Sequence, residues 1–351
     1  MKRIPVCVAA AVALLTTSCS LVGGGDDDSG ADASRRVVLV THESFVMSKA
    51  LQRQFEEESG YDLVIKASGD GGALTNKLVL TKDDPTGDAV FGIDNTFGSR
   101  AVDEGVLAPY AAQLPAGAEQ YVLPGDDDHD LTPIDTGSVC VNVDDTWFAD
   151  KGIPEPETLD DLLDPAYQDL FVTPGATTSS PGLAFLLATI SSEGDAWPTY
   201  WKKLVANGVK VDAGWTDAYE VDFTGGGGKG TRPIVLSYSS SPPFTIPKGA
   251  SRPTTSALLD TCFRQVEYAG VLTGSKNPAG MRMFIDFMQG RDFQAALPDN
   301  MYVYPVDADV ALPSAWAKFA PISPKPYAID PVEVTENRSA WLREWRDITT
   351  R

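Results

Sequence analysis

The chain has 351 residues, 28 basic against 49 acidic side chains, a formal net charge of −21 and 43% hydrophobic residues. Such an acidic surface argues against nucleic acid and anionic lipid as partners, since both need cationic patches. It suits a cationic ligand, and equally the plain solubility of an exported protein. With only two histidines, His42 and His129, a His-rich metal cluster is excluded and a Ser-His-Asp triad has little to draw on.

Residues 1–18 read as an export signal: Lys2 and Arg3 form a charged start, residues 6–15 an apolar stretch, and Thr16-Thr17-Ser18 a small-residue run before Cys19. That stretch is too short to span a bilayer permanently. Leu15-Thr16-Thr17-Ser18-Cys19 resembles a bacterial lipoprotein signal, with leucine one place further from the cysteine than is usual. The resemblance implies that Cys19 is lipidated and becomes the mature N-terminus. Residues 19–36 carry Gly23-Gly24-Gly25 and Asp26-Asp27-Asp28 and almost no apolar bulk, so they form a flexible acidic linker.

The folded part opens at residues 37–41, a β-branched run that predicts a buried strand. Phe45, Met47, Leu51 and Phe55 then recur at roughly helical spacing, and Gly60 stands where that helix stops. A strand at 63–66, a helix at 73–80 and a strand at 88–92 continue the alternation, which predicts a mainly parallel sheet with helices on both faces. Ligands sit at the carboxyl ends of such strands, so residues 41–45, 68–72 and 92–95 converge on one edge.

Around residues 133–137 the chain turns into the strand 138–143 and crosses into a second lobe. It returns near 262–268, and amphipathic helices at 278–289 and 339–346 close it. The expected fold is α/β, a two-lobe clamshell with residues 37–135 and 269–351 in lobe 1, residues 136–268 in lobe 2, and a small-molecule cleft between them. Gly225-Gly226-Gly227-Gly228 reads as a flexible surface loop between helix and strand. In an exported chain Cys140 and Cys262 favour a disulfide over two free thiols, although spacing does not show that they meet.

Four local clusters carry chemistry. Thr177-Thr178-Ser179-Ser180-Pro181-Gly182 precedes an apolar helix at 183–190; such a start presents unpaired N–H groups that hold an anion, or is an ordinary N-cap through Ser179 or Ser180. Aromatics in turn-prone sequence follow in Gly214-Trp215-Thr216-Asp217-Ala218-Tyr219, in Leu236-Ser237-Tyr238-Ser239-Ser240-Ser241-Pro242-Pro243-Phe244 and in Asn300-Met301-Tyr302-Val303-Tyr304-Pro305. Such rings pack in a core or hold a flat cation, a contact of about 0.5–2 kcal/mol.

These clusters, with Thr41-His42-Glu43-Ser44-Phe45, Gly92-Ile93-Asp94-Asn95 and the closing Ala340-Trp341-Leu342-Arg343-Glu344-Trp345, resemble the thiamine-binding proteins of ABC importers, in order across residues 37–346. The resemblance implies a periplasmic-binding-protein clamshell, type II-like, whose lobes are mainly parallel sheets flanked by helices and joined by crossing hinge strands. It implies a monomeric, non-enzymatic protein without cofactor, held outside the membrane by its lipid. Its ligand would be thiamine, thiamine monophosphate or thiamine diphosphate, delivered by lobe closure to the permease subunits of an ABC importer. Trp215 and Phe244 would enclose the thiamine rings, with Tyr219, Tyr238 and Tyr302 at further cleft positions and Ser179 near a phosphate. His42, Glu43, Ser44, Asp70, Gly71 and Asp94 would face the ligand from the first lobe, Asp94 taking the aminopyrimidine or the thiazolium. His42 stands where the family has tyrosine, Glu43 where it has aspartate, Phe244 where it has tyrosine and Tyr302 where it has tryptophan. Losing phenolic hydroxyls leaves the preferred phosphorylation state open.

Other readings compete. Glu43, Asp70, Asp94 and Asp217 would suit a polyamine, whereas the adjacent tyrosines of related iron sites are missing. A thiaminase-like enzyme would need Cys140 as nucleophile, flanked as it is by Val139 and Val141. A serine hydrolase built on Ser44 lacks the Gly-x-Ser-x-Gly elbow.

Overall fold

The structure is a computed structural model that describes residues 35–350. The signal, the Cys19 lipidation site and all of the linker but its last two residues lie outside the described residues. Strand β1 (Arg36–Thr41) starts one residue before the predicted position and lies between β2 (Asp62–Ala67) and β3 (Ala89–Asp94), parallel to both. Parallel neighbours need crossovers, supplied by α1 (Lys49–Ser59) and α2 (Gly71–Leu80). Helix α1 begins four residues after Phe45 because Ser48 caps it, accepting the Leu51 N–H at 3.2 Å. Phe45 instead lies ahead of the helix and packs on Phe91, 5.2 Å between centroids. Gly60 ends α1 at φ 73°, as the sequence predicts.

After α3 (Gly98–Asp103) and β4 (Leu107–Ala108), β5 (Thr132–Asp144) runs for 13 buried residues as one strand, starting six residues before the predicted 138–143. Pro133 is tolerated because it sits near the strand start, beside a register shift in the partner strand. Beyond α4 (Asp145–Lys151), β6 (Phe171–Pro174) is parallel to β7 (Lys210–Asp212) and to β8 (Ile234–Tyr238). Between β6 and β7 run α5 (Ser180–Glu193), buried on every side through Ile190, and α6 (Trp197–Ala206). Strand β9 (Thr255–Ala257) pairs with β5, and β10 (Phe263–Leu272) returns antiparallel to β5 and β3. The sheet order β2-β1-β3-β10-β5-β8-β6-β7 is therefore two parallel sets joined through two long antiparallel strands. A disulfide between Cys140 and Cys262 ties those two strands together.

Helices α7 (Pro278–Gln289) and α8 (Arg291–Met301) cover the first set, and β11 (Tyr304–Pro305) pairs with β5. After α9 (Ser314–Phe319), the closing helix α10 (Pro331–Thr349) is longer than predicted and touches both sets. Its Trp345 meets Trp201 of α6 edge to face at 5.5 Å, while the buried Arg338 donates to the Thr96 carbonyl at 3.2 Å and to Ser99 Oγ at 3.1 Å.

The run 225–228 is a surface loop between a helical turn and a strand, as expected. It wraps a π-helical turn, Asp217–Asp222, so closely that a Cβ on Gly226 would meet the Tyr219 carbonyl oxygen at 1.7 Å and one on Gly228 the Glu220 oxygen at 2.4 Å. Glycine is there for close backbone approach, and the turn it supports carries Tyr219 and Glu220.

Candidate functional site

The carboxyl ends of β1 and β2, the starts of α2 and α5, the π turn and the end of α8 surround a cavity of about 390 Å³. Of the residues singled out from sequence, His42, Glu43, Ser44, Asp70, Trp215, Tyr238 and Tyr302 line it. The loops 41–45 and 68–72 are locked to each other by the Glu43 N–H donating to the Gly69 carbonyl at 2.8 Å. The His42 ring fits because residue 92 is glycine at φ +95°, where a Cβ would meet His42 Cδ2 at 2.0 Å.

Contacts from the two strand sets close over this space. Asp70 Oδ1 caps α2 through the Gly71 N–H, and its Oδ2 accepts the Trp215 N–H at 2.9 Å. Ser44 Oγ lies 3.0 Å from Thr216 Oγ1. The starts of α2 and α5 abut: Ala73 N–H donates to the Thr178 carbonyl at 2.9 Å, and a Cβ on Gly71 would meet Ser180 Oγ at 2.1 Å.

Aromatic rings form the wall in backed pairs. Trp215 stacks on Tyr219, 4.9 Å between centroids and 11° between planes, and its indole N–H donates to Ser237 Oγ at 2.9 Å. Tyr302 stacks on Phe244 at 3.5 Å and meets the Trp215 edge at 6.3 Å. Tyr302 has φ 60°, uncommon for a bulky residue, and its carbonyl is held by the Ser240 hydroxyl. Tyr219 and Phe244 thus stand behind the lining rings rather than on the cavity surface.

Three further expectations are placed differently. Ser179 is fully buried and caps α5, its hydroxyl accepting the Gly182 N–H at 3.3 Å; Ser180 and Pro181 reach the cavity instead. Gly71 is not part of the lining and serves the close approach to Ser180. Asp94 is fully buried outside the lining, its Oδ1 accepting from Thr96 Oγ1 at 2.7 Å and from the Thr96 and Phe97 N–H groups, while its Oδ2 is without a partner. Burial raises its pKa to about 6, against the lowering effect of the Thr96 and Phe97 hydrogen bonds.

Sequence reasoning missed part of the floor. Gln265 and Glu267 of β10 line the cavity, as do Glu220 and Asp299, while Thr216, Asn300, Met301 and Val303 line it from within the clusters noted in the sequence. Two polar residues at alternate places, 265 and 267, in a strand whose remaining residues from 266 on are apolar or aromatic were the available signal. Glu267 lies opposite Asp135 in the β5 ladder, and its Oε1 is 3.4 Å from His42 Nε2 without forming a hydrogen bond. Burial, then the Asp135 and Asp94 charges, push the Glu267 carboxyl well above the ordinary range, and burial does the same to Asp135. Burial lowers His42 to about 4, so it is neutral at physiological pH. Glu43 is raised by burial and by the Asp70 and Asp217 charges. Five carboxylates and no Lys or Arg line the cavity. Cys140, weighed above as a nucleophile, is consumed in the disulfide.

Two parallel strand sets clasped by two crossing strands, with an aromatic, acid-floored cavity where the sets meet, are the architecture of a two-lobe solute-binding protein. The family described as bacterial extracellular solute-binding protein matches residues 84–239. A thiamine-binding periplasmic protein of Brucella melitensis is 32% identical over 333 residues, covering 92% of this chain and 94% of that one. That of Escherichia coli is 29% identical over 324 residues, covering 90% and 94%. The solved structure of a periplasmic thiamin binding protein superimposes with a TM-score of 0.79 at 28% identity, covering 90% of this chain and 96% of that one. The chain belongs to the family of thiamine-binding periplasmic proteins, a family of transport components rather than of enzymes.

Proposed function

We propose that the chain captures thiamine outside the membrane and hands it, by lobe closure, to the permease subunits of an ABC importer. The observation that carries this reading is the cavity lining: backed aromatic faces above a carboxylate floor, with no basic side chain. A thiazolium ring held against Trp215 gains about 0.5–2 kcal/mol from the ring face alone, and the nearby carboxylates add Coulombic attraction that strengthens as closure excludes water. Closure brings Ser44 to Thr216 and Asp70 to the Trp215 backbone, so ligand stabilises the shut state that a permease recognises.

The same lining bears on phosphorylation. Glu43, Asp70 and Glu220 repel added phosphate, and the α5 start is occupied by its own cap and by the Gly71-Gly72 backbone. The order of affinity is therefore thiamine, then the monophosphate, then the diphosphate. We assign residues 37–135 and 269–351 to lobe 1 and 136–268 to lobe 2, with α10 bridging them, and Cys19 to the lipid anchor of a monomer. Titrating intrinsic tryptophan fluorescence with thiamine, its two phosphates, spermidine and ferric citrate tests the reading. Spermidine binding more tightly than thiamine would replace it with a polyamine function.

A further inference from the structure

Strand β10 alternates: Arg264 and Val266 face a groove on the far side of the sheet, while Gln265 and Glu267 face the cavity. Gln265 is 2% exposed, yet neither its Nε2 nor its Oε1 has a partner. A buried carboxamide with both ends open is disfavoured unless something meets it. The backbone around it is pinned. Asn95 Oδ1 accepts the Val266 N–H at 2.8 Å, the Asn95 N–H donates to the Val266 carbonyl at 3.0 Å, and Thr136 Oγ1 donates to the Gln265 carbonyl at 2.8 Å. Opposite Gln265 in the ladder stands Gly137, where a Cβ would meet the Tyr238 ring at 3.1 Å.

We propose that Gln265 is the specificity-determining residue that reads the aminopyrimidine edge of the ligand: Nε2 donates to the ring nitrogen beside the amino-bearing carbon, and Oε1 accepts from the amino group. A carboxamide and such an edge are complementary donor–acceptor pairs, as in the pairing of Gln or Asn with adenine. The inference rests on the thiamine reading above and divides its work. Glu267, giving up its proton as the cation binds, supplies charge, and Gln265 supplies the discrimination, because an analogue lacking the amino group leaves a buried acceptor unpaired.

The test measures calorimetric affinities of the wild type, Gln265→Leu and Gln265→Met for three probes: thiamine, its analogue with hydrogen in place of the amino group, and an N-methylthiazolium without the pyrimidine. The wild type is expected to prefer thiamine over the deaminated analogue by about tenfold to a hundredfold, and both variants to bind the two alike. Thiazolium affinity should change less than about threefold, which reports an intact cleft where a merely structural role would disturb it. Should Gln265→Leu fail to fold, Gln265→Met, close in length and volume, carries the comparison. A variant that keeps the wild-type preference overturns the proposal and leaves the thiamine reading standing. A wild type that binds neither thiamine nor the thiazolium overturns both.

Discussion

Glu267 stands opposite Asp135 in the ladder between β5 and β10, two carboxyl groups facing each other in a buried region between the parallel strand sets. Burial makes both hold their protons more tightly than the unfolded chain does. At these groups the folded state then binds more protons, so their contribution to the stability of the unliganded protein falls as pH rises from about 4, the ordinary carboxyl value, opposed up to about 6.5 by His42, which burial keeps neutral. Asp94 adds to the fall up to its own value of about 6. Urea midpoints without ligand should fall less between pH 5 and pH 8 in Glu267→Gln than in the wild type, and the variant should be the more stable of the two at pH 8. A Glu267→Gln variant as pH-dependent as the wild type would remove this group from the account.

Thiamine affinity should run the other way. The bound cation favours ionised carboxylates, so binding releases protons and tightens between pH 5 and pH 8. Calorimetry in buffers of different ionisation enthalpy reads the proton release directly, and its absence would show that the floor is already charged.

Trp215→Ala should weaken thiamine binding more than tenfold, because it removes the cavity-facing ring and leaves Tyr219 without its stacking partner and Ser237 without its donor. Trp215→Phe, which keeps a ring face, should lose less. Equal losses would mean that the indole N–H, rather than the ring, carries the effect.

Gly71→Ala places a methyl where Ser180 Oγ now sits, 2.1 Å from the new carbon, and should keep the α2 and α5 starts apart. The expected result is about tenfold weaker binding with a larger radius of gyration at saturating thiamine by small-angle scattering. Wild-type compaction in the variant would show that the two helix starts need not touch.

The Cys140–Cys262 bond closes a loop with a sequence separation of 122 between the two crossing strands. Replacing both residues with alanine should lower unfolding stability by about 2–4 kcal/mol in urea. Because neither cysteine lines the cavity, thiamine affinity should stay within about threefold of wild type.

The sequence alone was enough for the strand–helix alternation, the stop at Gly60 and most of the aromatic wall, because local periodicity, cap chemistry and turn-prone rings are encoded by near neighbours, whereas the meeting of Cys140 and Cys262 came only with the fold. Only tertiary structure decided which of Ser179 and Ser180 reaches the cavity, that Tyr219 and Phe244 back other rings, and that Gln265 and Glu267 form the floor. Asp70 meets Trp215 across 145 positions and Ser44 meets Thr216 across 172, and no local pattern records which face of a buried strand will border a space that two distant segments enclose.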